Sequence, residues 1–372
     1  MDQERGFARY VHVLSETLGH ADRVGPLSDY CRGLMLSRDR KSVEPMAALV
    51  APRRASAKHQ SMHHFVAKAE WSDAAMLAAV RQAVLPALGA IEAWIVDDTG
   101  CPKKGMHSVG VARQTCGQLG KQDNGQVAVS VSVANERSSL PIAYQLYLQR
   151  EWAEDAARRQ RAEVPASIGY ATKSAIALEQ LRAARAARVP AGVVLADAGY
   201  GNDTDFRLGI GALGLTYAVG VQGITTVWTD GLLASRFARV RVRAADRNEL
   251  IAEEWLVIEW PLAETGPTRY WLTTHPSRIA FKELIRVIKL RWRIERDCQE
   301  LKQELGLGHY EGCNWRGFHH HATLTVAAYG FLMRARLTGR ATIHSAIRPS
   351  EPLLRLPPRP RNFIPRGSPR AA

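Results

Sequence analysis

The chain has 372 residues, 46% apolar and 23% charged, which is the balance of a globular protein and excludes wholesale disorder. That length allows two or three compact regions at ~100–200 residues each. Clean apolar stretches such as Leu324 to Met333 fall far short of the ~20 residues needed to span a bilayer, so no membrane partner is expected. Met1 to Arg9 has mixed charges and lacks the apolar core of a signal peptide. Cysteines stand at 31, 101, 116, 298 and 313 with no C-x-x-C spacing, which predicts reduced thiols in the cytoplasm and no disulfide or cysteine zinc scaffold. The formal net charge is +14, and residues 276–372 hold +11 of it, with 18 Lys or Arg against 7 Asp or Glu. Such a basic C-terminal part suits a polyanion, or else is a solvated basic surface.

Residues 1 to about 88 read as helical. Phe7, Val11, Leu14 and Leu18 recur at helical spacing, Ser28-Asp29 could cap a second helix, and Ser72-Asp73 precedes an Ala-rich run. Arg38, Arg40, Lys41, Arg53 and Arg54 could bring this bundle to DNA, but packing or dimerisation explains it equally. Extended segments follow at Ala93–Val96, Val109–Arg113, Gln126–Val133 and Pro141–Leu148. A helix over Lys173–Ala187 leads to a short strand, Val193–Ala196, and a helix near Asp205–Leu213 leads to Leu215–Val221. A meander of strands followed by strands alternating with helices predicts an α/β fold with a mixed sheet. From Thr225 to His275 the strands Ala238–Val242, Glu254–Trp260 and Thr268–Thr273 form a β-rich insertion or subdomain. One long helix is expected over Phe281–Leu305 and another over Phe318–Leu337. The last 25 residues, from Arg348, hold seven prolines and six arginines with one acid, a composition expected to stay disordered.

Three acids stand in suggestive places. Asp98 and Asp197 follow buried strands and precede glycines, and Glu295 lies in the long helix. Ligands collect at the carboxyl ends of strands in α/β sheets, and carboxylates suit Mg²⁺ or Mn²⁺ in phosphodiester chemistry. Each Asp alone is equally a turn or helix cap. Arg291, Glu295 and Lys302 share one helix face, which fits phosphate binding beside a metal ligand, or plain surface ion pairing.

Arg291-Trp292-Arg293-Ile294-Glu295 with Lys302 resembles the Tyr-x-x-Arg-x-x-x-Glu-x-x-x-x-x-x-Lys signature of bacterial insertion-sequence DDE transposases. Val96-Asp97-Asp98-Thr99-Gly100-Cys101-Pro102-Lys103-Lys104-Gly105 resembles the first-Asp block of one branch of that group. The segments from His107, Glu151, Asp197 and Trp315 continue the likeness, in order, from about Asp29 to Leu337. The resemblance implies a ribonuclease H-like core in which Asp98, Asp197 and Glu295 bind Mg²⁺, with Mn²⁺ as a substitute. It also implies cleavage and strand transfer at terminal inverted repeats by a homodimer on double-stranded DNA. Asp98 is preferred over Asp97 because the resemblance places the catalytic Asp directly before Thr. Two departures stand out: the signature tyrosine falls on Ile288, and the β insertion after Trp228 is short. They leave open a decayed or domesticated DNA-binding protein, and a metal-dependent nuclease without strand transfer is a further alternative.

Other signals carry less. Gly209-Ile210-Gly211-Ala212-Leu213-Gly214 matches G-x-G-x-x-G, but it leads from helix into strand, so it reads as turn glycines and not a nucleotide-cofactor site. His319, His320 and His321 fan out by ~100° each and cannot share an ion. One is expected in the core and another near phosphate, with Arg316 the better phosphate ligand. Trp271, Trp292 and Trp315 could stack on an unpaired base, though core packing suits each. The expected organisation is a helical DNA-binding or dimerisation domain (1–90), a ribonuclease H-like core (91–222 and 277–340) interrupted by the β insertion (223–276), and a basic tail (341–372).

Overall fold

In the computed structural model, residues 2–36, 40–116, 121–222, 227–228, 237–246, 249–250, 252–260 and 264–339 are described. Arg38 and the tail from 341 lie outside them. Helix α1, Asp2–Ser15, buries Phe7, Tyr10, Val11 and Leu14, as its spacing requires. Helix α2, Val24–Met35, starts before the expected cap, so Ser28 and Asp29 sit inside it and Asp29 pairs with Lys58 instead. Helices α3, Val43–Val50, and α4, Ala55–Ala67, follow. Ser72 caps α5, Asp73–Leu88, its Oγ accepting the Ala75 N–H at 3.1 Å.

Strand β1, Ala93–Pro102, runs six residues past its expected end because it pairs antiparallel with the long β3, Lys121–Ala134, as far as Gly125. Strand β2, Ala112–Cys116, starts later than expected, because Gly110 turns the chain at φ +67° just before it. Strand β4, Ser139–Leu146, pairs with β3 as β2 does. Two short helices, α6 (Arg150–Glu154) and α7 (Ala156–Arg161), lead to α8, Lys173–Ala186. Strand β5, Val193–Ala196, then lies parallel to β1. After α9, Ala198–Gly201, and α10, Thr204–Ala212, strand β6, Tyr217–Val221, lies parallel to β5. Four antiparallel strands, β1 to β4, followed by the parallel β5 and β6 make the ribonuclease H-like mixed sheet.

The insertion supplies β7 (Val227–Trp228), β8 (Phe237–Asp246), β9 (Glu249–Leu250), β10 (Glu254–Glu259) and β11 (Arg269–Thr273). It is no detached subdomain. Strand β11 pairs antiparallel with β6, β10 with β11, β8 with β10 and β7 with β8, so one sheet runs from β2 and β4 to β7. Without β11, the unpaired N–H and C=O groups of β6 would form an open edge.

Alternation along β1 sorts its side chains between two layers. Trp94 and Val96 join Ile176 and Leu181 of α8 on one face. Ala93 and Ile95 meet Leu284, Val287, Ile288 and Ile294 on the other. Those last four belong to two helices, α11 (Phe281–Lys289) and α12 (Trp292–Gln299), where one long helix was expected. The Leu290 and Arg291 amides reach back three residues, to Val287 O and Ile288 O, which tightens the chain between the helices. The halves also serve different neighbours: Lys289 holds Glu259 of β10 at 2.7 Å, whereas buried Asp297 accepts from Ser139 at 2.5 Å and Tyr329 at 2.8 Å. A wider turn over Glu300–Glu304 closes this segment.

Helix α13, Trp315–Leu337, is enclosed by the N-terminal helices, so residues 1–90 share a core with the end of the chain. Tyr10 donates to Ala327 O at 2.9 Å, and Tyr30 donates to His321 Nδ1 at 2.9 Å. All three consecutive histidines are buried, which corrects the expectation that one reaches phosphate. His319 bonds Trp315 O and the Leu146 N–H, His320 lies between Val66 O and Trp71 O, and His321 donates to Gly306 O. Burial pushes His320 and His321 down to about 4. An unfolded chain would therefore take up protons first, and stability falls as pH drops from the ordinary histidine value toward 4. Each should cost about 2 kcal/mol by pH 5, seen as a lower urea midpoint at pH 5 than at pH 7 and relieved in His320→Gln. Among the described residues, no helix is long and apolar enough to cross a membrane.

Candidate active site

The β1–β5 register aligns Ile95 with Leu195. Two residues further along each chain, Asp97 and Asp197 therefore stand at the same level, just past the point where the parallel pairing of β1 with β5 ends. Asp197 ends β5 and caps α9, its Oδ1 accepting the Gly199 N–H at 2.9 Å. Helix α12 lies across this end and carries Glu295. Between them opens a cavity of about 790 Å³ whose walls include Asp97, Asp98, Asp197 and Glu295, together with Lys173, Tyr200 and Lys302. The three expected acids and the expected Lys302 thus meet in one place.

Arg291 ties the acids together. Its guanidinium lies 3.1 Å from Glu295, 3.5 Å from Asp97 and 3.6 Å from Asp197. Asp98, pointing to the other side of β1, pairs with Lys173 at the start of α8. Side-chain exposure separates the two aspartates: Asp98 is 29% exposed and Asp97 13%, against 44% for Asp197 and 65% for Glu295. Burial pushes the Asp97 carboxyl up to about 7, against the pull of Arg291, and the charges of Asp197 and Asp98 add to the rise. Cys298 also lines the cavity, but burial holds its thiol up at about 12, so it stays protonated and is a poor nucleophile.

Among the described residues, no three His, Cys, Asp or Glu side chains stand close enough together to hold one ion by themselves. The donor set nonetheless suits a hard divalent cation, since Mg²⁺ takes one or two carboxylates and completes its shell with water and phosphate oxygens. Arg316 is placed elsewhere: it donates to Lys68 O at 2.9 Å and meets Glu70 at 3.3 Å, fastening α13 to the link between α4 and α5. In the N-terminal bundle, Lys41 is buried on Leu34 O and Leu36 O and Arg40 pairs with Glu311, while Arg53 and Arg54 are exposed. Trp271 and Trp315 are buried, but Trp292 is exposed beside the site with Arg293 over its ring.

Sequence reading missed Lys173 and Tyr200. Lys173 lies 75 residues from Asp98, so only folding reveals the pair. Tyr200 was visible inside the Asp197 block, but nothing in its spacing showed that it lines the cavity.

Known proteins share parts of this chain. A curated relative, the probable transposase for insertion sequence element IS701 of Microchaete diplosiphon, is 28% identical over 225 residues. The match covers 59% of this chain and 56% of that protein, so the chain spans just over half the length of its relative. The piggyBac transposase synaptic complex with hairpin DNA overlaps 68% of this chain and 48% of its own, at 8% identity and a TM-score of 0.39. A family model described as a transposase DDE domain matches residues 165–331. Another, described as a DDE superfamily endonuclease, matches residues 13–243, taking in both Asp98 and Asp197. More than half of the sequence lies in that second match, and the chain belongs to the DDE superfamily endonucleases.

Proposed function

We propose that the protein is a DNA transposase of the insertion-sequence group with the Tyr-Arg-Glu-Lys signature. It would cleave at terminal inverted repeats and join the freed end to target DNA by a cut-and-paste route, as a homodimer on double-stranded DNA. The observation that carries this reading is the meeting of Asp98, Asp197 and Glu295, from β1, the end of β5 and α12, in one open cavity walled by Lys173 and Lys302. The net charge of +14 suits a polyanionic substrate.

Asp98, Asp197 and Glu295, the three more accessible acids, would hold Mg²⁺, with Mn²⁺ as a substitute. Bound there, the metal would supply Lewis-acid activation of the attacking oxygen and stabilise the leaving one. Arg291 and Lys302 would hold flanking phosphates. Asp97, behind Arg291, keeps that guanidinium at the site.

Excision from a plasmid carrying the native flanking DNA, with Mg²⁺, tests the reading. Wild type should excise, and Glu295→Gln should lose at least ~10³-fold. Equal excision by both would remove Glu295 from the site. One observation favours a DNA-binding protein without turnover: Ile288, at the signature tyrosine position, is packed in the core and offers no hydroxyl. Intact binding to the flanks with no cleavage by wild type would decide for that reading.

A further inference from the structure

Tyr200 lies in α9, three residues past Asp197, with its ring against Phe206 at a centroid distance of 5.7 Å. The residue is 3% exposed and lines the carboxylate cavity. Its hydroxyl has no hydrogen-bond partner among the described residues. A buried hydroxyl left unpaired destabilises a fold, and phenylalanine would fill nearly the same volume without that cost. Burial, reinforced by the charges of Asp98, Asp97 and Asp197, holds the phenol well above its ordinary range. It therefore keeps its proton and remains a donor.

We propose that the Tyr200 hydroxyl is a substrate-binding group that donates a hydrogen bond to a non-bridging oxygen of the DNA phosphodiester entering this cavity. The inference rests on reading the cavity as a phosphodiester site. A phosphate oxygen is the acceptor that fits best. Lys302 in the same wall, and Lys173 once a metal takes Asp98 from it, would draw an anion, and a phenolic O–H bound to an anionic oxygen makes a charge-assisted bond. The unpaired hydroxyl then finds its partner only in the complex.

The test compares the full chain with Tyr200→Phe in three measurements. Thermal melting without DNA should be unchanged or raised. Cleavage of a duplex made from the DNA flanking the chain's own coding sequence, with Mg²⁺, should fall by roughly 10- to 100-fold. In Ca²⁺, a methylphosphonate at the reacting position should weaken binding of wild type about tenfold more than that of Tyr200→Phe. A clearly lower melting temperature in Tyr200→Phe would show that the hydroxyl has a structural partner and overturn the proposal. So would wild-type cleavage rates in Tyr200→Phe, or equal losses on the methylphosphonate duplex. If wild type neither binds nor cleaves the duplex, the phosphodiester reading itself falls and takes the proposal with it.

Discussion

Asp98→Asn is expected to cut metal-dependent DNA cleavage by roughly 10³-fold or more, whereas Asp97→Asn should cost only about 10- to 100-fold. The two neighbours point to opposite sides of β1 and differ in access. Asp98 is 29% exposed and its partner Lys173 is 38% exposed, so this pair opens onto the cavity. Asp97 is more deeply buried and its carboxyl is pushed up to about 7, so near neutral pH it carries only part of a charge. A group in that position can orient Arg291 but is harder for a hydrated cation to reach. Single-turnover cleavage with saturating Mg²⁺ separates the two roles. If Asp97→Asn proves the more damaging, the assignments exchange, and the Arg291 contacts of Asp97 would then mark the metal site.

Gly201→Ala should lower stability by about 2–4 kcal/mol and take most of the activity with it, although Gly201 has no side chain to offer chemistry. A Cβ on Gly201 would stand 1.9 Å from the Gly220 carbonyl oxygen of β6. That neighbour is backbone and cannot swing aside. Gly220 answers from the other side, where a Cβ would meet Ala198 N at 3.0 Å. The glycines therefore let α9 sit directly on the sheet, which sets Asp197 at one end of that short helix and Tyr200 inside it. Gly211→Ala in α10 is the control. Nothing lies within 4 Å of its Cβ, and the change should stabilise the helix by about 0.5–1 kcal/mol. Urea denaturation should show the two alanines moving the midpoint in opposite directions.

Local patterns made much of this molecule legible. Val193–Ala196 is a short apolar run ended by Asp197 and glycines, and it is a buried parallel strand. The helical spacing of Phe7, Val11 and Leu14 likewise marks the face that α1 buries. What local pattern did not give is whatever depends on a distant partner. The apolar stripe over 281–305 continues through Leu290 and Ile294, so periodicity carries no trace of the break between α11 and α12; the ties to Glu259, Ser139 and Tyr329 do. The fanning of the three histidines was readable, but not that α13 is enclosed on every side, which puts all three in the core. At the candidate site, Asp197 and Glu295 were singled out by the family resemblance more than by their settings, whereas the Lys173–Asp98 pair spans 75 residues and leaves no local signal.

The unbroken sheet also bears on how force and heat would pass through the molecule. Strands β5 and β6, which set the level of Asp197, have β1 on one side and β11 on the other, so neither is a margin. Fraying should start at the outer strands, β7 on one flank and β2 or β4 on the other, and reach the central strands last. Amide hydrogens of Leu195, Ala196 and Val219 should then exchange among the slowest in the chain, at rates set by global opening. A protein arranged in this way would keep its acidic centre in register while its periphery breathes against a long and uneven partner.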